Sequence, residues 1–170
     1  MSENIKNYQA LAEYIQQNYY EEEVFFEKVR YKESMVSYSR LEVAEELSSS
    51  IEDQLQNVND TFSDYLLKVI DKRKMIDADV YKRANLDRKH FSKIRSNKYY
   101  QPKKETVLAL GLALRLNVDE MLDLLQTAGF TLSNSSKVDI IVRWHLEQGI
   151  FNIHQINEAL YEFDQRPIGY

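Results

Sequence analysis

The sequence predicts an all-α protein. Apolar residues recur at three- and four-residue spacings over most of the chain, the signature of amphipathic helices. Only four Gly and two Pro (Pro102 and Pro167) punctuate 170 residues, too few for the turns of a many-stranded β fold. Cysteine is absent, which excludes a disulfide framework and thiolate metal sites and leaves the apolar core to hold the fold.

Taken in order, a first helix is expected over 3–19, where Ile5, Tyr8, Leu11, Ala12, Ile15 and Tyr19 share one face. Glu21, Glu22 and Glu23 break that pattern. Residues 24–39 mix Val, Phe and Tyr with partial alternation, and hairpin, extended arm and irregular connection all remain open. A helix is expected over 41–55 on the stripe Leu41, Ala44, Leu47, Ile51 and Leu55, followed by a linker at 56–60. The chain therefore reads as an N-terminal extension, 1–58, and a main domain, 59–170.

In the main domain Asp60 or Thr61 can cap a helix reaching Lys72. Short helices are expected over 77–84 and 87–95. A mostly apolar one over 103–116 should be the central buried helix. The next ends near Ala128, with Gly129 placed as a left-handed cap. Two more are expected at 137–148 and 153–163. The tail 164–170 is expected to be loosely ordered or to pack as an extended end.

Charge is distributed unevenly. Residues 72–104 hold twelve Lys/Arg against three Asp/Glu, a net of +9, between flanks of −9 and −5. A basic island between acidic flanks is the footprint expected of a polyanion-binding element.

The stretch MIDADVYKRANLDRKHFSKIRSNK, residues 75–98, has the spacing of two short helices joined by a tight turn. Val80 and Ala84 face inward. Asn85 occupies the turn, where positive φ is wanted and Asn is the best choice after Gly. Leu86 plugs the gap, Asp87 is placed to cap the second helix, and Phe91 and Ile94 anchor it. Arg88, Lys89, His90, Ser92, Lys93 and Arg95 are left facing outward. Such a helix can enter the major groove, about 12 Å wide, with Arg reaching guanine and Lys meeting phosphate. Asp87 takes the helix N-terminus, where a phosphate would otherwise sit.

This stretch, with TVLALGLALRLNVDEML at 106–122, resembles the Cro/lambda-repressor-like helix-turn-helix superfamily over about 60–125. Together with GFTLSNSSK at 129–137 and NEALYEFDQRPIG at 157–169, it is similar to a variant appended C-terminally to other domains in Gram-positive bacterial proteins. The resemblance implies a five-helix domain extended by two C-terminal helices. It also implies a DNA-binding transcriptional regulator with double-stranded DNA as partner. Because a single short helix discriminates little, binding as a homodimer is expected. Two departures stand out: Ile76-Asp77 replaces the common Ser-Gln or Thr-Gln, and Asn97 a common Gly. Asp77 and Asp79 would repel a phosphate.

The expected contact residues are Arg88, Lys89, His90, Ser92, Lys93 and Arg95 on the recognition helix, with Lys98, Lys103 and Lys104 adding phosphate contacts. Tyr99 and Tyr100 either stack on a base or sugar or pack beneath the connection before Pro102. The other reading is a protein–protein adaptor whose basic face meets an acidic partner, residues 1–58 being available for a partner or for dimerisation. No enzyme activity and no cofactor are expected. His90, His145 and His154 do not stand at metal-ligand spacing, and Ser48, Ser49 and Ser50 lie outside any nucleophile motif. The opening MSENIKNYQ lacks the pattern of a signal peptide, and a cytoplasmic location with no membrane span is expected.

Overall fold

A computed structural model of the chain describes residues 2–19 and 60–169. The chain divides into two units, Met1–Tyr19 with Asp60–Tyr170, and Tyr20–Asn59. The helix expected over 41–55, the ambiguous stretch 24–39 and all of the linker but Asp60 lie outside the described residues.

Among the described residues all regular structure is helical. In chain order the helices are α1 (Ser2–Asn18), α2 (Phe62–Lys72), α3 (Asp77–Arg83), α4 (Arg88–Ser96), α5 (Lys104–Ala113), α6 (Val118–Thr127), α7 (Lys137–Glu147) and α8 (Ile153–Glu162). None is long and apolar enough to cross a membrane.

α5 is the centre. Every residue from Thr106 to Ala113 is buried, and a helix apolar all round can only be a core helix. It packs against α3, α6 and α8, while α2 packs on α4 and α6, and α7 on α6 and α8. Gly111 keeps α5 and α6 close: a Cβ there would run into the Met121 thioether. The first helix belongs to this same unit. α1 lies against α7, buries Leu11 and Ile15, and ties down through the Tyr14 hydroxyl, which donates to Glu147 at 3.0 Å.

The helix ends follow one scheme. Thr61, Asp87, Asn117, Ser136 and Asn152 accept a backbone N–H from the first turn, satisfying a donor the helix leaves unpaired. Asn117 and Glu120 do so reciprocally as a capping box. α2, α3, α5, α6, α7 and α8 all end in the paired bonds of a Schellman motif. The left-handed residues at these six ends are Lys74, Asn85, Arg115, Gly129, Gly149 and Asp164.

This ending corrects the expected length of the central helix, which stops at Ala113 rather than Leu116. Arg115 turns left-handed at φ 54°, and the Leu116 N–H reaches back to the Gly111 carbonyl at 3.0 Å. Leu116 is still buried, because the residue after such a turn folds back on the helix. The apolar periodicity therefore runs past the true end.

The tail packs as an extended end. Ile168 is fully buried. The Asn157 amide clamps it, donating to the Ile168 carbonyl at 3.0 Å and accepting its N–H at 2.9 Å. Gly169 sits so close to the Ala84 carbonyl that no Cβ fits, which fastens the tail beside the α3–α4 turn.

Candidate functional site

The α3–α4 pair is built from local chemistry. Val80 and Ala84 are fully buried and orient α3. Asn85 takes φ 53°, a conformation whose cost is smallest for Gly and next for Asn and Asp. Leu86 is buried between the helices. The Asp87 carboxylate accepts the His90 N–H at 2.8 Å. That backbone bond, with a second from Lys89 and the nearby positive charges, holds its carboxyl below the usual range.

Phe91 and Ile94 are buried and dock α4, and the Phe91 ring meets Tyr81 at 5.9 Å between centroids. At the far end the buried Ser63 hydroxyl donates to the Asn97 carbonyl at 3.0 Å, fixing α4 to α2. Asn97 itself has φ −112°, so the position needs no glycine.

On the face turned away from this core, Arg88, Lys89, Ser92 and Lys93 are exposed. None of the three cations is in an ion pair among the described residues. With Asp87, His90 and Tyr100 they line a shallow depression.

His90 is half-buried, its Nε2 2.8 Å from the Tyr100 hydroxyl. Tyr100 thus belongs to the packing before Pro102, which is buried. Tyr99 remains 75% exposed. Arg95 donates to Asp77 at 2.8 Å, and Lys98 lies 3.4 Å from Asp64. Lys103 is exposed at the N-cap of α5.

Lys104 differs from the rest. Its ammonium is bound to Asp139, whose side chain is only 2% exposed and also accepts the Ser133 N–H at 2.8 Å. Lys104 therefore serves the junction of α5 with α7. Reading by spacing missed this pair, because Asp139 lies 35 residues away in a serine-capped first turn and looks there like an ordinary acidic residue at a helix start.

The nine expected residues thus separate. Arg88, Lys89, Ser92 and Lys93 come together as one open polar face with His90 at its edge. Arg95, Lys98 and Lys104 hold carboxylates of the same chain, and Lys103 stands in the connection beyond. Among the described residues, no group of three or more His, Asp or Glu could hold a metal ion. No protein-family model, curated protein or solved structure matches the chain.

Proposed function

We propose that the protein is a DNA-binding transcriptional regulator, with α2–α6 as a helix-turn-helix domain of the Cro/lambda-repressor type and α4 as its recognition helix. The observation that carries the reading is the open face of α4. Three cations in no ion pair among the described residues, and a serine, lie on the side opposite the buried Phe91 and Ile94, within a segment of net charge +9. At nine residues, α4 is about 14 Å long at 1.5 Å per residue, a length that suits the major groove. Arg88 is the base-reading candidate, since its guanidinium matches guanine bidentately, while Lys89 and Lys93 suit phosphates. One short helix discriminates little, so a homodimer on paired half-sites is part of the proposal. No catalytic role and no cofactor are part of it.

The test is a titration against random duplex DNA at about 50 and 200 mM salt. Four phosphate contacts weaken affinity by about 10²-fold over that interval. The Arg88→Ala/Lys93→Ala variant should lose most of the binding. Absence of wild-type binding at low salt, or an unaffected variant, removes α4 from this role.

A second reading, a protein–protein adaptor, rests on the rim of the same face. Ile76 and Tyr99 are 63% and 75% exposed, and Asp79 is exposed near Ile76. Apolar and acidic side chains suit a protein surface better than a phosphate backbone. Recovery of one defined partner after nuclease treatment, lost in an Ile76→Ser/Tyr99→Ser variant, would favour it.

A further inference from the structure

A second basic feature lies outside the α4 face. The last turn of α3, the end of α5 and the start of α8 border an open, solvent-facing cleft of about 730 Å³. That volume falls in the range, about 300–1,000 Å³, of sites for small molecules. Lys82, Arg83 and Arg115 line it, His154 stands with them, and no carboxylate is among the lining residues. None of the three cations is in an ion pair among the described residues.

The wall is of the opposite character. Leu112 and Ala113 are buried at its back, and Ile150 and Phe151 are half-exposed beside them.

We propose that this cleft binds a phosphorylated small molecule, its anionic group held by Lys82, Arg83 and Arg115 and its apolar or planar body lying against Ile150 and Phe151. Cations at the C-terminal ends of α3 and α5 also complement the helix dipoles. That role asks only for charge near each helix end and makes no use of a concave apolar wall between them. Arg115 further occupies a left-handed position, φ 54°, where glycine costs least, so the guanidinium is held there against the local preference of the backbone. A duplex backbone suits the site less well, since its sugar-phosphate edge leaves the apolar wall unfilled, whereas a ligand with both an anionic and a planar part uses both surfaces.

Calorimetric titration of the full chain with adenosine 5′-monophosphate, and separately with inorganic phosphate, tests the assignment. Saturable binding is expected, tighter for the nucleotide. Arg115→Gly and Lys82→Ala should each weaken it by about tenfold, the size of one lost charge-assisted hydrogen bond. Arg115→Gly relaxes the backbone as it removes the charge, so its loss of binding cannot be ascribed to misfolding. Arg88→Ala/Lys93→Ala should bind the nucleotide as wild type does. Lack of saturable binding by either probe at millimolar concentration overturns the proposal, as does binding unchanged in Arg115→Gly and Lys82→Ala. Equal affinity for phosphate and nucleotide removes the apolar contact from it. If Arg115→Gly/Lys82→Ala weakens duplex DNA binding as much as nucleotide binding, the cleft is part of a nucleic-acid surface and the small-molecule assignment fails.

Discussion

Arg95 near the end of α4 donates to Asp77 at the start of α3, Nη1 to Oδ1 at 2.8 Å. The carboxylate that would repel a phosphate at the rim of α4 is thus partly neutralised, and the cation that would attract one is partly spent. Asp77→Asn releases Arg95 and deletes the repulsion together. On the proposed DNA-binding reading, duplex affinity should rise by about three- to tenfold, and the dependence of log K on log salt should steepen by about one phosphate contact. Stability should move by less than about 1 kcal/mol, since both side chains are more than a third exposed and the pair is screened. Fluorescence anisotropy at several salt concentrations reads both quantities. A fall in affinity would mean that Asp77 organises α4 rather than opposes its ligand.

Lys104 presents the opposite balance. Asp139 is 2% exposed against 27% for Lys104, so removing the lysine leaves a buried carboxylate with, among the described residues, only the Ser133 N–H to answer it. Lys104→Met should lower unfolding stability by about 2–3 kcal/mol, below the full cost of breaking a buried pair because the lysine is partly wet. Lys104→Met/Asp139→Asn should recover most of the loss. Urea denaturation of the four-member cycle measures this, and additive losses in the double variant would refute the coupling. Once refolded, Lys104→Met should leave the salt slope of DNA binding unchanged.

The shared ending of six helices allows a paired comparison. Lys74 and Arg115 occupy left-handed positions at φ 53° and 54°, each costing about 1–2 kcal/mol for an L-residue with a Cβ. Glycine removes that cost but adds freedom to the unfolded chain. Lys74→Gly and Arg115→Gly should therefore each stabilise the protein by about 0.5–1 kcal/mol. Gly129→Ala should destabilise it by about 1 kcal/mol, even though a Cβ at Gly129 meets nothing within 4 Å, because the penalty is conformational. Thermal melts of the three variants should show opposite signs, and a common sign would contradict the assignment.

These helix ends also mark what was legible in the sequence. Asp87 and Gly129 carry their own local signals, and the expected ends near them lie within a residue or two of the observed ones. Arg115 carries none: it reads as one more polar residue of a long helix, and buried Leu116 extends the apolar stripe beyond the real end. The inward set Val80, Leu86, Phe91 and Ile94 was readable because helix docking obeys a short-range period. The fate of the cations was not, because it depends on which carboxylate another element brings near. Arg95 meets Asp77 across a turn, Lys98 meets Asp64 from α2, and Lys104 meets Asp139 from α7. Spacing alone treats all three like Arg88. The packing of α1 on α7 was equally hidden, since an amphipathic stripe says that a helix is covered without saying by what.

Acid should act on the core through His145. The residue is buried, and its Nδ1 donates to the Ile141 carbonyl at 2.7 Å. Burial dominates and pushes its pKa below the ordinary 6.5, the backbone bond opposing only in part. The unfolded chain therefore binds a proton at a pH where the folded protein does not. The contribution of His145 is fully present above about pH 6.5 and declines as pH falls from there toward its folded pKa. Asp87 and Glu120 act lower on the scale. Both are held below the carboxylate norm, first by backbone N–H donors at the N-termini of α4 and α6 and, for Glu120, by Arg73 as well. Their contribution is present above the ordinary carboxylate range and is lost as pH falls through their depressed values. Unfolding free energy should thus fall in two stages on acidification, the first beginning near pH 6.5. His145→Gln, which keeps a side-chain N–H donor but does not titrate, should flatten the first stage and leave the second. Urea titrations from pH 8 to 3 separate the two, and a first stage that survives in His145→Gln would assign it to another group.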